Sequence, residues 1–347
     1  RTICARLMND RFALCLPREE FDEKRVADSV KELQCEFTGN SFHLHMYMGV
    51  YEIRDRDEAV SIMVDKANIA ADTIKNNYDC CVAYYDEHLL EISIEQRRLL
   101  GEFEPALQND EFVMYLQPQV KRDGAAKGAE ALVRWVHPSR GILTPYAFID
   151  ILENAGLIYK LDLYIWEKAA QKLAEWKEKG YGSYHISVNI STKDFYIIDI
   201  YETFTGLINK YGIAASNLHL EITETTLMTD FEKNMNIIHK LQGVGFRVEI
   251  DDFGSGYSSL NMLKDISADV LKIDMGFLRK SENEVKGQDI LESIITLAGK
   301  IGMDVITEGV ETKKQLDMLT MMGCHEFQGY YFSKPVPVSE FEEKYLV

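Results

Sequence analysis

From about residue 112 onward, short apolar runs alternate with longer segments whose apolar positions recur at helical spacing. This pattern predicts strands over 112–116, 129–135, 184–190, 218–223, 246–250, 270–273, 303–307 and 326–332. Between them it predicts helices over 146–155, 161–179, 200–211, 231–242, 288–301 and 313–322. Glycines at 180, 212, 243, 302 and 323 fall where a helix ends in a left-handed residue. Regular strand and helix alternation argues for an α/β fold built as a TIM-like (β/α)8 barrel, with an open doubly wound sheet as the competitor. The polar residues favour the barrel. Asn189, Glu221, Asp251, Asp274 and Glu308 each stand at or just past the carboxyl end of a separate apolar run. A barrel brings such ends onto one rim, where these folds place their chemistry, whereas an open sheet spreads them along an edge.

The most pointed stretch is 246–260, where Val248 and Ile250 lead into Asp251 and Asp252 and then into Gly254, Ser255 and Gly256. In an extended strand the two carboxylates point to opposite faces, so both serve one site only if the chain turns between them. The paired glycines are expected to allow that turn. The first 90 or so residues read as a separate α/β unit, with strand-like runs at 12–16 and 43–49 and helical ones at 21–33 and 58–75. A charged helical stretch without Gly/Ser richness follows, so the expected organisation is a unit at 1–90, a connecting helix at 91–111 and the barrel at 112–347.

Composition narrows the chemistry. A net charge of −18 argues against a nucleic-acid polymer as partner, and no apolar run is long enough for a membrane span. The chain starts on Arg1 in what reads as mid-strand, so a sensor and any membrane anchor are expected upstream of a cytoplasmic enzyme. The six cysteines show no metal-ligand spacing and read as reduced thiols; His43 and His45 read as structural. Converging carboxylates without matching basic residues repel one another, so the rim implies bound cations. Oxygen donors from Asp, Glu and Asn suit Mg²⁺ or Mn²⁺, expected as two ions, and suit zinc less well.

The joint order of several motifs over 112–345 resembles the EAL family of cyclic di-GMP phosphodiesterases. They are Gln117-Pro118, Glu130-Ala-Leu-Val-Arg-Trp135, Ser187-Val-Asn-Ile-Ser191, Glu221-Ile-Thr-Glu224, Asp251-Asp-Phe-Gly-Ser-Gly-Tyr-Ser-Ser259, Lys272-Ile-Asp274, Glu308-Gly-Val-Glu311 and Gln328-Gly-Tyr330. The resemblance implies hydrolysis of cyclic di-GMP to linear pGpG. It implies that Glu130, Asn189, Glu221 and Asp251 hold one metal, with Asp251, Asp252 and Glu308 available to a second. It makes Lys272, with Glu308 and Asp252, the group that positions or deprotonates the attacking water. Arg134 is implied as the phosphate contact, and Gln117, Gln328 and Asp274 as substrate-binding groups. Glu224 and Ser255 would hold the Asp-Asp-Phe-Gly loop, and Glu311 would orient Lys272 or the ligands. Members of the family commonly act as homodimers through the barrel. Ser255, Ser267 and Thr307 depart from the usual Thr, Pro and Ala, and none of these changes removes a ligand.

The amino-terminal stretch from Ala5 to Pro17 resembles the signature hairpin of the GGDEF family of diguanylate cyclases, and 65–75 its closing helix, so only part of that domain is expected. Met8-Asn9-Asp10-Arg11-Phe12 stands where that family has Gly-Gly-Asp-Glu-Phe, and Thr2 stands where its inhibitory motif has Asp. Lost glycines and a cation at the metal position imply a regulatory or dimerisation unit without cyclase activity. Two other readings of the barrel are weighed. A catalytically silent cyclic di-GMP receptor would lack several ligands that are present here. A two-carboxylate glycosidase leaves Asn189, Lys272 and the Asp pair without roles.

Overall fold

The computed structural model describes residues 2–8, 10–26, 28, 46–75, 80–253, 266–274, 276 and 284–346. Its contacts divide the chain into two compact units, Arg1–Gly101 and Glu102–Val347.

The first unit carries an antiparallel hairpin of β1 (Ile3–Met8) and β2 (Arg11–Cys15). It also has a short parallel pair, β3 (Met48–Val50) and β4 (Val82–Tyr84), with helix α1 (Val60–Asp72) against β3. A Cβ on Gly49 would come within 1.8 Å of the Ala67 carbonyl, so only glycine lets helix and strand approach this closely. Residues 27 and 29–33 of the helix predicted at 21–33 lie outside the described residues, as do His43, His45 and Asn9. Helix α2 (Glu87–Gln108) ends the unit and supplies the first residues of the next.

The second unit is a closed ring of eight strands: β5 (Phe112–Lys121), β6 (Ala126–His137), β8 (His185–Ile190), β9 (Leu218–Thr223), β10 (Val248–Phe253), β11 (Val270–Asp274), β12 (Asp304–Glu308) and β13 (Glu326–Phe327). Short strands β7 (Gly141–Leu143) and β14 (Val336–Pro337) extend it outside the ring. Neighbours from β6 round to β13 run parallel, but β5 is antiparallel to both β6 and β13. The barrel is therefore TIM-like with one reversed strand. Hydrophobic periodicity predicts a strand and not its direction, and the tight turn between β5 and β6 is what reverses it.

Helices α3 (Ile149–Ala155), α4 (Ile158–Glu178), α5 (Asp194–Ile197), α6 (Ile200–Tyr211), α7 (Glu224–Thr229), α8 (Phe231–Val244), α9 (Glu284–Lys300), α10 (Lys313–Met321) and α11 (Val338–Tyr345) complete the unit. Helix α4 shows why these segments dock. Leu161, Ile165, Ala169 and Trp176 form one buried stripe at helical spacing, and Trp166 lies on Phe204 of α6 with ring centres 4.5 Å apart. Helices α5, α7 and α11 and the short strands β7 and β14 were not visible in the hydrophobic pattern. Helix α8 runs to Val244 and ends at Gly245, with φ 108°, and not at Gly243.

Candidate functional site

The parallel strands point their carboxyl ends to one rim, and the rim residues converge on a buried lysine. Lys272 of β11 is fully buried. Its ammonium lies 2.8 Å from Glu308 Oε1, 2.9 Å from Glu221 Oε2, and 3.4 Å from both Glu130 Oε2 and Asp251 Oδ1. Four strands besides its own thus deliver one carboxylate each. Asn189 completes the group by donating from Nδ2 to Glu130 Oε1 at 3.2 Å.

Electrostatics follow from that geometry. Burial opposes the charge on Lys272, but Asp251, Glu130, Glu221 and Glu308 overrule it and hold its pKa well above the lysine range. Burial, followed by the charge of Glu130, pushes Glu221 far up. The charge of Lys272 only partly offsets this. Burial pushes Glu308 up to about 8, against the pull of Lys272. Glu221 Oε2 keeps only its ion-pair contact with the ammonium, and neither of its buried oxygens has a hydrogen bond among the described residues. One ammonium cannot neutralise four carboxylates, so the rim has room in its charge balance for divalent cations.

Asp251 and Asp252 show the turn that the sequence requires. Asp252 has φ 56°, and the β10 to β11 register shifts between Ile250 and Phe253. The strand bulges at Asp252 itself, so the second carboxylate need not point away from the first. Burial, then Asp251 and Asp274, raise its pKa. Gly254, Ser255 and Gly256 lie outside the described residues.

The two glutamines sit beside the cluster and are buried. Gln328 Nε2 donates to Glu130 Oε2 and to Gln117 Oε1, and Gln117 donates to the Ser333 carbonyl. Gln328 Oε1 is buried without a partner. Arg134 is half-buried, donates to the Val133 carbonyl and lies over the Tyr115 ring at 5.4 Å. Asp274 ends β11 exposed and accepts from Gly276 N at 2.7 Å. Glu224 opens α7, which contacts β10, so it is placed beside the Asp-Asp strand. Glu311 is exposed, with its backbone N–H on Gln315 Oε1, whereas Lys272 is fully enclosed. Thr307 turns its buried hydroxyl to Cys324 Sγ, 3.5 Å away, so the extra polar atom is accommodated.

Below the rim lies a second polar layer that was missed in the sequence. His185 Nε2 donates to Gln119 Oε1 at 2.7 Å, and His219 Nδ1 to Glu249 Oε1 at 2.6 Å. The two rings stack 3.8 Å apart and 5° from parallel. A Cβ on Gly128 would come within 2.4 Å of the His185 ring, so glycine is what seats it. His185, His219 and Glu249 offer three donor atoms within 4.8 Å of one another, as a metal site requires. As they stand, stacked rings aim their nitrogen lone pairs along parallel planes, and the group is a hydrogen-bonded floor. Its signal was available: each member stands two or four residues before a rim ligand on the same strand, hence on the same inward face.

Comparison with known proteins places this geometry. The family model described as the EAL domain matches residues 101–335. The bifunctional diguanylate cyclase/cyclic di-GMP phosphodiesterase MucR of Pseudomonas aeruginosa is 30% identical, over 97% of this chain and 50% of its own length. The cyclic di-GMP phosphodiesterase PdeR of Escherichia coli is 33% identical over 69% of this chain and 36% of its own. The chain thus spans half or less of the length of these relatives. The solved structure of the PaMucR phosphodiesterase in complex with c-di-GMP superposes with a TM-score of 0.67 at 33% identity, covering 70% of this chain and 99% of that one.

Proposed function

The chain belongs to the EAL domain family, and from that membership we propose that its barrel opens cyclic di-GMP to linear pGpG with the help of Mg²⁺ or Mn²⁺. The observation that carries this reading is the set of four carboxylates round Lys272, with both oxygens of Glu221 buried and without a hydrogen bond among the described residues. All-oxygen donors with an excess of negative charge fit hard divalent ions. Glu130, Asn189, Glu221 and Asp251 would hold one ion, and Asp251, Asp252 and Glu308 a second. Such ions activate water and draw charge from phosphoryl oxygens.

The chain's own residues divide the remaining work. With its pKa held high, Lys272 keeps its proton and acts as a hydrogen-bond donor and a fixed cation that positions the nucleophile, not as the base. Arg134 is half-buried over Tyr115, forms no ion pair among the described residues, and is assigned to a substrate phosphate. Gln117 and Gln328 fix Glu130 and line the substrate side, together with Asp274. Glu224 and Ser255 are assigned to the Asp-Asp-Phe-Gly loop, and Glu311 to supporting the rim from outside.

The amino-terminal unit is proposed to be a partial, degenerate GGDEF-like domain without cyclase activity. Two facts support this. The alignment with the bifunctional MucR extends over 97% of this chain, and Arg11 begins β2 directly after the hairpin turn. Pairing through the barrel into a homodimer, in the cytoplasm, completes the reading. Among the described residues, no helix is long and apolar enough to cross a membrane.

The test is incubation of the chain with cyclic di-GMP and Mg²⁺ or Mn²⁺, beside Glu130→Ala and a chelated sample, with the nucleotides separated. The expected result is pGpG only with metal and intact Glu130. Binding without opening under both metals would transfer the barrel to the receptor class. Light scattering checks the dimer, and GTP with Mg²⁺ checks the absence of cyclase activity.

A further inference from the structure

Asn189 is exposed and is the rim ligand without a charge, so its position depends on how the end of β8 is held. Helix α4 holds it twice. Trp166 Nε1 donates to the Asn189 carbonyl at 2.9 Å. One turn earlier on the same helix, Asp162 reaches Asp194, the first residue of α5. Asp194 Oδ2 accepts from both the backbone N–H and the hydroxyl of Ser191, each at 2.8 Å. The other oxygen, Oδ1, is buried and meets no donor, and Asp162 Oδ2 is in the same condition.

Two carboxyl groups can hydrogen-bond each other only through a proton, and two buried carboxylates side by side repel. The surroundings do not neutralise the pair. On α3, Glu153 faces it with Asp150 beside Glu153, and Lys193 donates to the Glu153 carbonyl. From α8, Lys233 donates to the Phe195 carbonyl. We propose that Asp162 and Asp194 form a proton-sharing latch that positions Asn189, with Asp162 carrying the proton and Asp194, as carboxylate, holding Ser191. The assignment rests on the proposed metal role of Asn189; Asp162 and Asp194 are positioning residues and touch neither metal nor substrate.

Burial, followed by the charge and hydrogen bond of Asp194, pushes the Asp162 carboxyl well up. Asp194 is raised by burial and brought back by its bonds to Ser191 and Asp162. The latch is therefore closed while Asp162 keeps its proton and opens as pH rises past its raised pKa. When the shared proton leaves, the charges separate, Ser191 is released, and Asn189 loses one of its two holds.

The experiment compares the full chain with Asp162→Asn, which keeps a donor toward Asp194 but cannot ionise. Infrared difference spectra at neutral pH should show the carbonyl band of a protonated carboxyl in the native chain and its loss in Asp162→Asn. Hydrolysis by Asp162→Asn should stay within about twofold of native at neutral pH, and its alkaline decline should begin about one pH unit or more later. Asp194→Ala should lower catalytic Mn²⁺ affinity ~10–100-fold, as loss of a group supporting a ligand does. No difference in the carbonyl band, or superposable pH profiles, overturns the latch. If no form hydrolyses cyclic di-GMP, the proposed activity falls, while the infrared band still decides whether the pair holds its proton.

Discussion

The rim and the floor of the same barrel bury the same kind of group and treat it in opposite ways. At the rim, Glu221 has no hydrogen bond and Glu308 is pushed up to about 8. Two residues below Asp251, burial likewise pushes Glu249 up, but the hydrogen bond and charge of His219 overrule it and bring it down to about 2. His185, stacked on that imidazole, is lowered to about 3 by burial and then by the charge of His219. The floor pairs Glu249 Oε1 with His219 from within the chain, although its Oε2 is buried without a hydrogen bond, while the rim sets four carboxylates round one ammonium and carries a charge excess that protons or an added cation relieve. Burial alone therefore does not mark a functional carboxylate. Several carboxylates crowded round one cation at the strand ends mark it better.

Breaking the rim should hurt chemistry and spare folding. Lys272→Met removes the cation shared by four carboxylates, and its expected effect is a fall in turnover of about a thousandfold, on the order of losing a preorganised electrostatic group. The check is kcat on cyclic di-GMP with melting followed in parallel; a variant that turns over within tenfold of native would remove Lys272 from the reaction. Breaking the floor should do the reverse. His219→Leu leaves Glu249 charged and enclosed, which costs about 3–5 kcal/mol of stability for a stranded buried ion. Denaturant unfolding measures it, and Glu249→Gln in the same chain should restore most of the loss. The sign with pH is fixed as well. Glu249 lies below its ordinary value, so its contribution is full above the usual carboxylate range and is lost as pH falls toward 2.

How much of this was legible in the chain depends on which pattern carried it. Strand ends at Asn189, Glu221, Asp251 and Glu308 were legible because an apolar run followed by one polar residue marks both the strand and its carboxyl end. The reversed direction of β5 was not, since alternation is the same read either way. The bulge at Asp252 was half legible: the need for a turn followed from adjacent carboxylates, but glycines were expected to make it, and Asp252 carries it. The floor carries no motif spacing of its own, although stepping back by two from Asn189, Glu221 and Asp251 leads to Ser187, His219 and Glu249. Gly128 has no sequence signal at all. Its reason is the His185 ring, and Gly128→Ala should cost about 1–3 kcal/mol through overpacking, read in the same unfolding experiment. Coupling that substitution with His185→Ala should cancel it; independent effects would show that the ring is not what the glycine accommodates.

The smallest expected effect sharpens the comparison furthest, because it separates a carboxylate that waits for a cation from one that does not. Glu308 sits at about 8 in the cation-free protein, so around neutral pH it is mostly protonated. A group raised above its ordinary value favours the folded state below that value, and the advantage is lost as pH rises toward 8. Melting measured in chelator should therefore decline across this window. A divalent ion binds the carboxylate and not the acid, so loading must release up to one proton, and affinity should rise by at most about tenfold per pH unit until Glu308 is ionised. Mn²⁺ titrations in buffers of different ionisation heat count that proton directly. Glu308→Gln should abolish the release, and Glu249→Gln should leave it unchanged, because the floor carboxylate is already ionised. Equal proton release by the two variants would mean that rim and floor are one coupled charge system and not two regions with separate tasks.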